Sequence, residues 1–251
     1  MAILTFKFRK IGIYKLNNIN WLNYWNKKNI WTESDLWKKN NDIFFLKTSH
    51  IFNFSKKNIV LDIGCGNGDF TNKVINRVDK VYCVDTSQEY VNICKTRFSN
   101  NKNVTVLKLG NNYTDLSFIK DIKFSIIIAN SVVQYYRSQN EIIDLVKSVQ
   151  KISAENARFL ISDIEIFSDK KKSYLNLIYN SIVKRYFFSL IKVGLKLIVN
   201  KEYSKTKQRQ SILAVNFDKL IRDLSIFVKK ISIINENITV NVNRKHLLIE
   251  L

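Results

Sequence analysis

The run Val60-Leu61-Asp62-Ile63-Gly64-Cys65-Gly66-Asn67-Gly68-Asp69-Phe70 decides the fold of this chain. Its apolar lead-in, Ile59–Ile63, predicts a short buried strand that stops at Gly64. Asp69–Asn76 predicts a helix, so three glycines sit on a strand-to-helix turn. Glycine there opens backbone torsions that are closed to other residues, and it lets a ligand lie against the main chain at a helix N-terminus.

Working outward, Lys80–Val84 predicts a second strand, and Asp85 closes it 17 positions after Gly68. A carboxylate at that strand end can accept hydrogen bonds from both hydroxyls of a ribose. Ser87 can cap the next helix, whose apolar face is Tyr90, Val91, Ile93 and Cys94. Val104–Leu109, Phe124–Ala129 and Arg158–Ile164 predict three more strands. The fourth is apolar almost throughout, as a central parallel strand is. Glu141–Ile152 places Ile142, Leu145, Val146 and Val149 at helical spacing. Strands alternating with helices over about a hundred residues indicate an α/β fold with a doubly wound, mostly parallel sheet. A long Lys-rich amphipathic segment follows, then a helix over Phe217–Phe227 and a closing strand pair, Lys230–Asn235 and Lys245–Leu251.

Composition bounds the function. The chain has 251 residues, with 41 Lys and Arg against 21 Asp and Glu, a net charge of +20. Hydrophobic residues make up 46%, enough for a packed core, while 6 Gly, 0 Pro and 3 Cys exclude collagen-like and disulfide-scaffold classes. Cys65, Cys83 and Cys94 lack CxxC spacing and fit a reducing compartment. No apolar run approaches the roughly 18 residues that span a bilayer. The opening MAILTFKFRKIGIYK has no uninterrupted apolar core, so a cytoplasmic location is expected. The charge would suit a polyanion, but heavy use of Lys, Asn and Ile throughout reads as general compositional drift. Two distant His and scattered carboxylates give no metal-site spacing.

VLDIGCGNGDF resembles the first motif of class I S-adenosylmethionine-dependent methyltransferases, and VYCVDTS resembles their second. The resemblance covers residues 59–164 and, by element order alone, the closing strand pair. It implies a Rossmann-like seven-stranded sheet, a methyltransferase domain over 58–251, an N-terminal helical cap over 1–57 and a helical insertion or lid over 165–210. It implies S-adenosylmethionine as cofactor. Asp62, Gly64 and Gly66 would line the methionine part, Asp85 would hold the ribose, and Cys65, Gly68 and Thr86 would also be cofactor-binding. Asn111 and Asn112 would lie near the adenine, where the family often has Asp. Asn130 and Ser131 would stand where cofactor and acceptor meet, at the start of SVVQYY, a segment similar to that of small-molecule and glycan methyltransferases.

Substrate class is read from what surrounds the sheet. Enzymes that methylate adenine and some protein amino groups carry Asn/Asp-Pro-Pro-aromatic after strand four; this chain has Ala129-Asn130-Ser131-Val132. Cytosine C5 chemistry needs a Cys nucleophile after strand four, and none stands there. O-methylation is left, with His246 and Glu165 as candidate general bases; a neutral His with a pKa of about 6.5 suits proton removal from a hydroxyl. Asp163 also closes strand five, and His50 falls in a helix before the sheet. The expected acceptor is a sugar hydroxyl of a glycan, of its nucleotide- or lipid-linked precursor, or another small molecule. An RNA methyltransferase is the alternative and a non-catalytic cofactor-binding scaffold the third reading, with nucleic acid ranked behind small molecules as partner. Trp21, Trp25, Trp31 and Trp37 fall in the cap and could stack on a sugar ring. Ser173–Asn200, with Lys184, Arg185, Lys192 and Lys196, could meet an anionic membrane.

Overall fold

A computed structural model describes residues 21–27, 34–167 and 170–251, without the side chains of 170–173. The opening stretch and Trp31 lie outside the described residues. Helix α1 (Trp21–Trp25) and helix α2 (Asp35–Phe52) precede the sheet. Ser34 starts α2 by accepting from the Trp37 backbone N–H, and Asn53 ends it in the left-handed conformation at φ 50°.

The sheet comprises β1 (Ile59–Ile63), β2 (Lys80–Asp85), β3 (Val104–Lys108), β4 (Phe124–Asn130), β5 (Ser153–Ile164), β6 (Lys230–Ile233) and β7 (Lys245–Glu250). Its order is β3-β2-β1-β4-β5-β7-β6. The first five strands pair in parallel, and β7 alone runs antiparallel to both its neighbours. Strand order reverses between β1 and β4, so the crevice beyond their carboxyl ends is where a ligand is expected.

Helices α3 (Asp69–Val74), α4 (Gln88–Arg97), α5 (Gln139–Ile152) and α9 (Phe217–Ser225) cover the two faces. Alternate residues of each strand serve opposite faces. Leu61, Ile63, Ile127 and Phe159 pack with Leu145 and Val149 of α5 and Leu220 of α9. Val60, Cys83, Ile126 and Ile128 pack with Phe44 of α2, Phe70 of α3 and Cys94 of α4. Ile127 and Phe159 are fully buried; each such side chain contributes about 1.5–3 kcal/mol.

The long segment after β5 is three helices: α6 (Lys170–Val183), α7 (Phe187–Val199) and α8 (Lys201–Arg209). Arg185, in the left-handed region at φ 58°, breaks the first from the second. Asn200 accepts from the Tyr203 N–H at 2.8 Å and restarts the third. A single bridge between Ile166 and Val215 closes the base of this excursion. The periodicity alone predicts one long segment, because Arg and Asn carry no strong breaker signal.

Candidate functional site

The carboxyl ends of β1, β2 and β4 meet at a cavity of about 840 Å³, counted with its open mouth. Gly64 and Gly66 from the β1 loop, Asp85 and Thr86 from β2, and Asn130 and Ser131 from β4 line it. The glycine requirement is physical. Gly64 has φ +69°, and a Cβ there would stand 2.4 Å from Val132 Cγ2. Gly66 has φ +55°, but its missing Cβ would face open space, with only Trp37 Cζ2 at 3.8 Å. Gly64 is thus demanded by the protein, whereas Gly66 leaves room beside the loop for a ligand.

Asp85 is buried and ties the loop together. One carboxylate oxygen accepts from the Gly66 N–H at 2.9 Å and the other from the Ser87 N–H at 2.7 Å. Burial pushes its pKa up, and those N–H groups together with Lys108 oppose the rise. A carboxylate offers about four acceptor positions, so Asp85 can still take two ribose hydroxyls.

The rest of the wall is aromatic. Trp21 and Trp25 of α1, Trp37 of α2, Tyr90 of α4, and Tyr135 and Tyr136 after β4 converge there, with Leu109 and Tyr113 following β3. The Trp21 and Trp25 rings lie 5.1 and 5.3 Å from that of Tyr135. The indole N–H groups of Trp21, Trp25 and Trp37 and the Tyr136 hydroxyl are buried without a hydrogen-bond partner among the described residues. Buried donors are normally satisfied, so these four suit a ligand rich in acceptors. Among the described lining residues there is no Lys, Arg or His.

Several residues expected from the sequence lie elsewhere. Asp62 is not among the lining residues; its carboxylate accepts from Thr71 Oγ1 at 2.8 Å, and burial raises its pKa to about 7. Cys65 is buried with its Sγ 4.0 Å from that of Cys94, and the neighbouring Cys83 and Cys94 thiols, with burial added, push its pKa well up. Gly68 packs against Phe98 and Cys94 of α4, where a Cβ would stand 2.7 Å from the Phe98 ring. Asn111 and Asn112 are exposed and outside the lining. His50 is exposed at the end of α2.

The expected bases are engaged. His246 is 1% exposed, and its Nδ1 lone pair accepts from the Asp163 N–H at 3.1 Å. Burial lowers its pKa to about 4, with Asp163 opposing. It therefore carries no proton on Nδ1 at neutral pH and has no free lone pair to offer. Glu165 is ion-paired to Arg244 Nη1 at 2.5 Å. The residue that organises this edge is Asp163, which accepts from Ser131 Oγ at 2.7 Å and from Thr239 Oγ1 at 3.3 Å. Ser131 and Asp163 both occupy the left-handed region, at φ 58° and 64°. Two strained non-glycine residues on adjacent strand ends mark a site that the surrounding network holds in place.

Residues 60–174 match the family profile described as a methyltransferase domain. The chain also superimposes on the N-methyltransferase NodS from Bradyrhizobium japonicum, solved with S-adenosylhomocysteine. The TM-score is 0.57 at 11% identity, over 93% of this chain and 98% of that one. Residues 60–174 carry a methyltransferase domain, and the chain shares its fold with a methyltransferase solved with S-adenosylhomocysteine. The pyocyanin biosynthetic protein PhzM is similar in fold, with TM-score 0.56, 10% identity and coverage of 85% and 56%. At those identities both likenesses are of fold. Two sequence relatives are ribosomal RNA small subunit methyltransferase A of Mycoplasma capricolum and the probable one of Methanococcoides burtonii. The first is 25% identical over 183 residues, 70% of this chain and 65% of the relative. The second is 32% identical over 76 residues, 30% of this chain and 26% of the relative. The chain thus spans less than two thirds of either relative's length. The glycine loop and the Asp85 carboxylate beside it suit a nucleoside with a polar tail.

Proposed function

We propose that this protein transfers a methyl group from S-adenosylmethionine to a nitrogen on a flat, neutral acceptor, such as an amino-bearing aromatic ring. One observation supports this reading: the cavity is walled by aromatic rings, with no cationic side chain and no free base among the described lining residues. Bound S-adenosylmethionine supplies a methyl group already activated on a sulfonium sulfur. The protein's own residues then position and exclude water. The Gly64–Gly66 backbone cradles the cofactor tail, and Asp85 fixes the ribose. The Trp and Tyr rings stack on whatever planar group enters, and an approach held in line supplies most of the acceleration.

A hydroxyl acceptor must lose its proton as the new bond forms. Among the described residues, the two bases expected from the sequence, His246 and Glu165, are engaged, and burial pushes the Tyr135 phenol up, so it stays protonated; this favours a nitrogen acceptor over a sugar hydroxyl. An amine attacks with its own lone pair and can shed its proton to water afterwards. Asn130 Oδ1 accepts from Ser162 Oγ at 2.7 Å; Ser131 Oγ lies 3.5 Å from it but gives its proton to Asp163 at 2.7 Å, so the second lone pair can orient an incoming N–H.

A base in RNA is the second reading, favoured by the names of the two sequence relatives and by the net charge of +20. The test is transfer of labelled methyl from S-adenosylmethionine to a panel of aromatic amines, unmodified ribosomal RNA and sugars. Label on nitrogen of an aromatic amine supports the first reading. Label on RNA, with binding that falls steeply with salt, moves the assignment to the second. Label on a sugar hydroxyl overturns both.

A further inference from the structure

We propose that α6 and α7 dock this protein onto an anionic lipid surface. In α6, Tyr174, Ile178 and Ile182 form one row at four-residue spacing and Leu175, Tyr179 and Val183 form the adjoining row, all exposed. Side chains so spaced share one helix face, so this is a continuous apolar stripe turned to solvent. In α7, Phe188, Ile191, Leu195 and Ile198 repeat at three and four residues, with Phe188 85% and Ile198 79% exposed. Scattered apolar residues on a surface need no explanation, but two stripes on touching helices do.

Charge selects the occupant. Residues 170–209 hold 11 Lys and Arg and a single acid, Glu202, and that acid is ion-paired to Lys27 at 2.7 Å. Lys192 and Lys196 are exposed and sit beside Ile191 and Leu195, so their stems can lie along an apolar layer while their charges reach headgroup phosphates. A second copy of the chain would bring +20 against +20. The opening stretch, with Lys7, Arg9, Lys10 and Lys15 and no acid, is repelled in the same way. RNA would meet the cations and leave the aliphatic rows in water. An anionic bilayer satisfies both. The helices are 14 and 13 residues long, and no described helix is long and apolar enough to cross a membrane, so they would lie in the interface plane. Tyr203 of α8, the helix that packs on α7, has its ring 5.8 Å from that of Trp21 in the cavity wall.

The experiment is co-sedimentation of the full chain with vesicles of phosphatidylcholine alone or with about a third phosphatidylglycerol. Binding is expected to be at least about tenfold tighter to the anionic vesicles and to weaken in high salt. Two variants separate the components. Ile178→Ser/Tyr179→Ser/Phe188→Ser/Ile198→Ser removes exposed apolar groups, and Lys184→Gln/Arg185→Gln/Lys192→Gln/Lys196→Gln removes charge. Each is expected to lose about tenfold or more in vesicle affinity, with circular dichroism and S-adenosylmethionine affinity unchanged. Failure of the unaltered protein to bind anionic vesicles overturns the proposal. So does full binding by the serine variant, or displacement of vesicles by a single-stranded RNA that binds both proteins equally, because either result leaves the apolar rows without a role.

Discussion

At the residue scale, the two glycines that line the cavity do different work. Gly64→Ala forces a Cβ to 2.4 Å from Val132 and is expected to lower the thermal midpoint by several degrees, with Val132→Ala restoring part of it. Gly66→Ala meets open space and pays only the left-handed backbone penalty of about 1–2 kcal/mol. It is expected to stay folded yet bind S-adenosylmethionine at least about tenfold more weakly by calorimetry, because the added methyl occupies ligand space. Asp85→Asn removes an acceptor shared by the loop and the ribose, and is expected to weaken the cofactor by about 1–3 kcal/mol. Unchanged affinity would assign the ribose to another residue. Tyr135→Phe tests whether the site lacks a base. With a phenol that stays protonated, turnover should fall less than about tenfold; a larger loss with normal cofactor affinity would give that hydroxyl a proton-transfer role.

At the element scale, α1 contributes the roof. Trp25 lies 5.3 Å from Tyr135 and 6.5 Å from Tyr90, so it bridges the β4 and β2 sides of the cavity. Removing one such ring contact costs about 0.5–1.5 kcal/mol beyond lost area. Trp25→Ala is therefore expected to raise the acceptor's Michaelis constant and the cofactor's dissociation constant together, by about tenfold each. A change in stability with neither constant moved would make α1 packing alone. The spacing of Trp21 and Trp25 showed that they share a helix face. That the face turns onto Tyr135 rather than onto the sheet depends on where the β4 loop and α8 bring their own tyrosines.

At the scale of the whole molecule, two buried groups set opposite pH dependences. His246, lowered to about 4 from an ordinary 6.5, is held neutral by burial. Protonation favours the unfolded chain, so its contribution is complete above about pH 6.5 and is lost as pH falls towards 4. Asp62, raised to about 7 from 3.8, is held protonated by burial. Its contribution is complete below about pH 4 and is lost as pH rises towards 7. Asp62→Asn keeps an acceptor for Thr71 and removes that loss. It is expected to stabilise the cofactor-free protein by on the order of 1–3 kcal/mol at pH 8 and by little at pH 4. Chemical denaturation at the two pH values checks this, and equal effects at both would mean that Asp62 is ionised in the fold. The charge of +20 adds a global repulsion. Raising salt from about 50 to 300 mM should therefore raise the thermal midpoint.

The sequence by itself determined the sheet and the glycine loop at its cavity. An apolar run, GxGxG and a following acid at a strand end are local facts, fixed by backbone torsions and by the two-residue period of a strand, and Gly64, Gly66 and Asp85 came from them directly. Only the tertiary structure decided which neighbours of that loop reach the cavity. Cys65 and Gly68 share the loop, but a turn points successive residues in different directions, and these two face α4. Asn111 and Asn112 follow β3, the edge strand, and turn to solvent, while Tyr113 one residue on turns inward. His246 and Glu165 do stand at the carboxyl edge of β5, but burial and partners from Asp163 and Arg244 take the lone pair and the charge that a base would need. Such partners lie about 80 residues away in the chain, and no local pattern records which side chain an engaged group has already met.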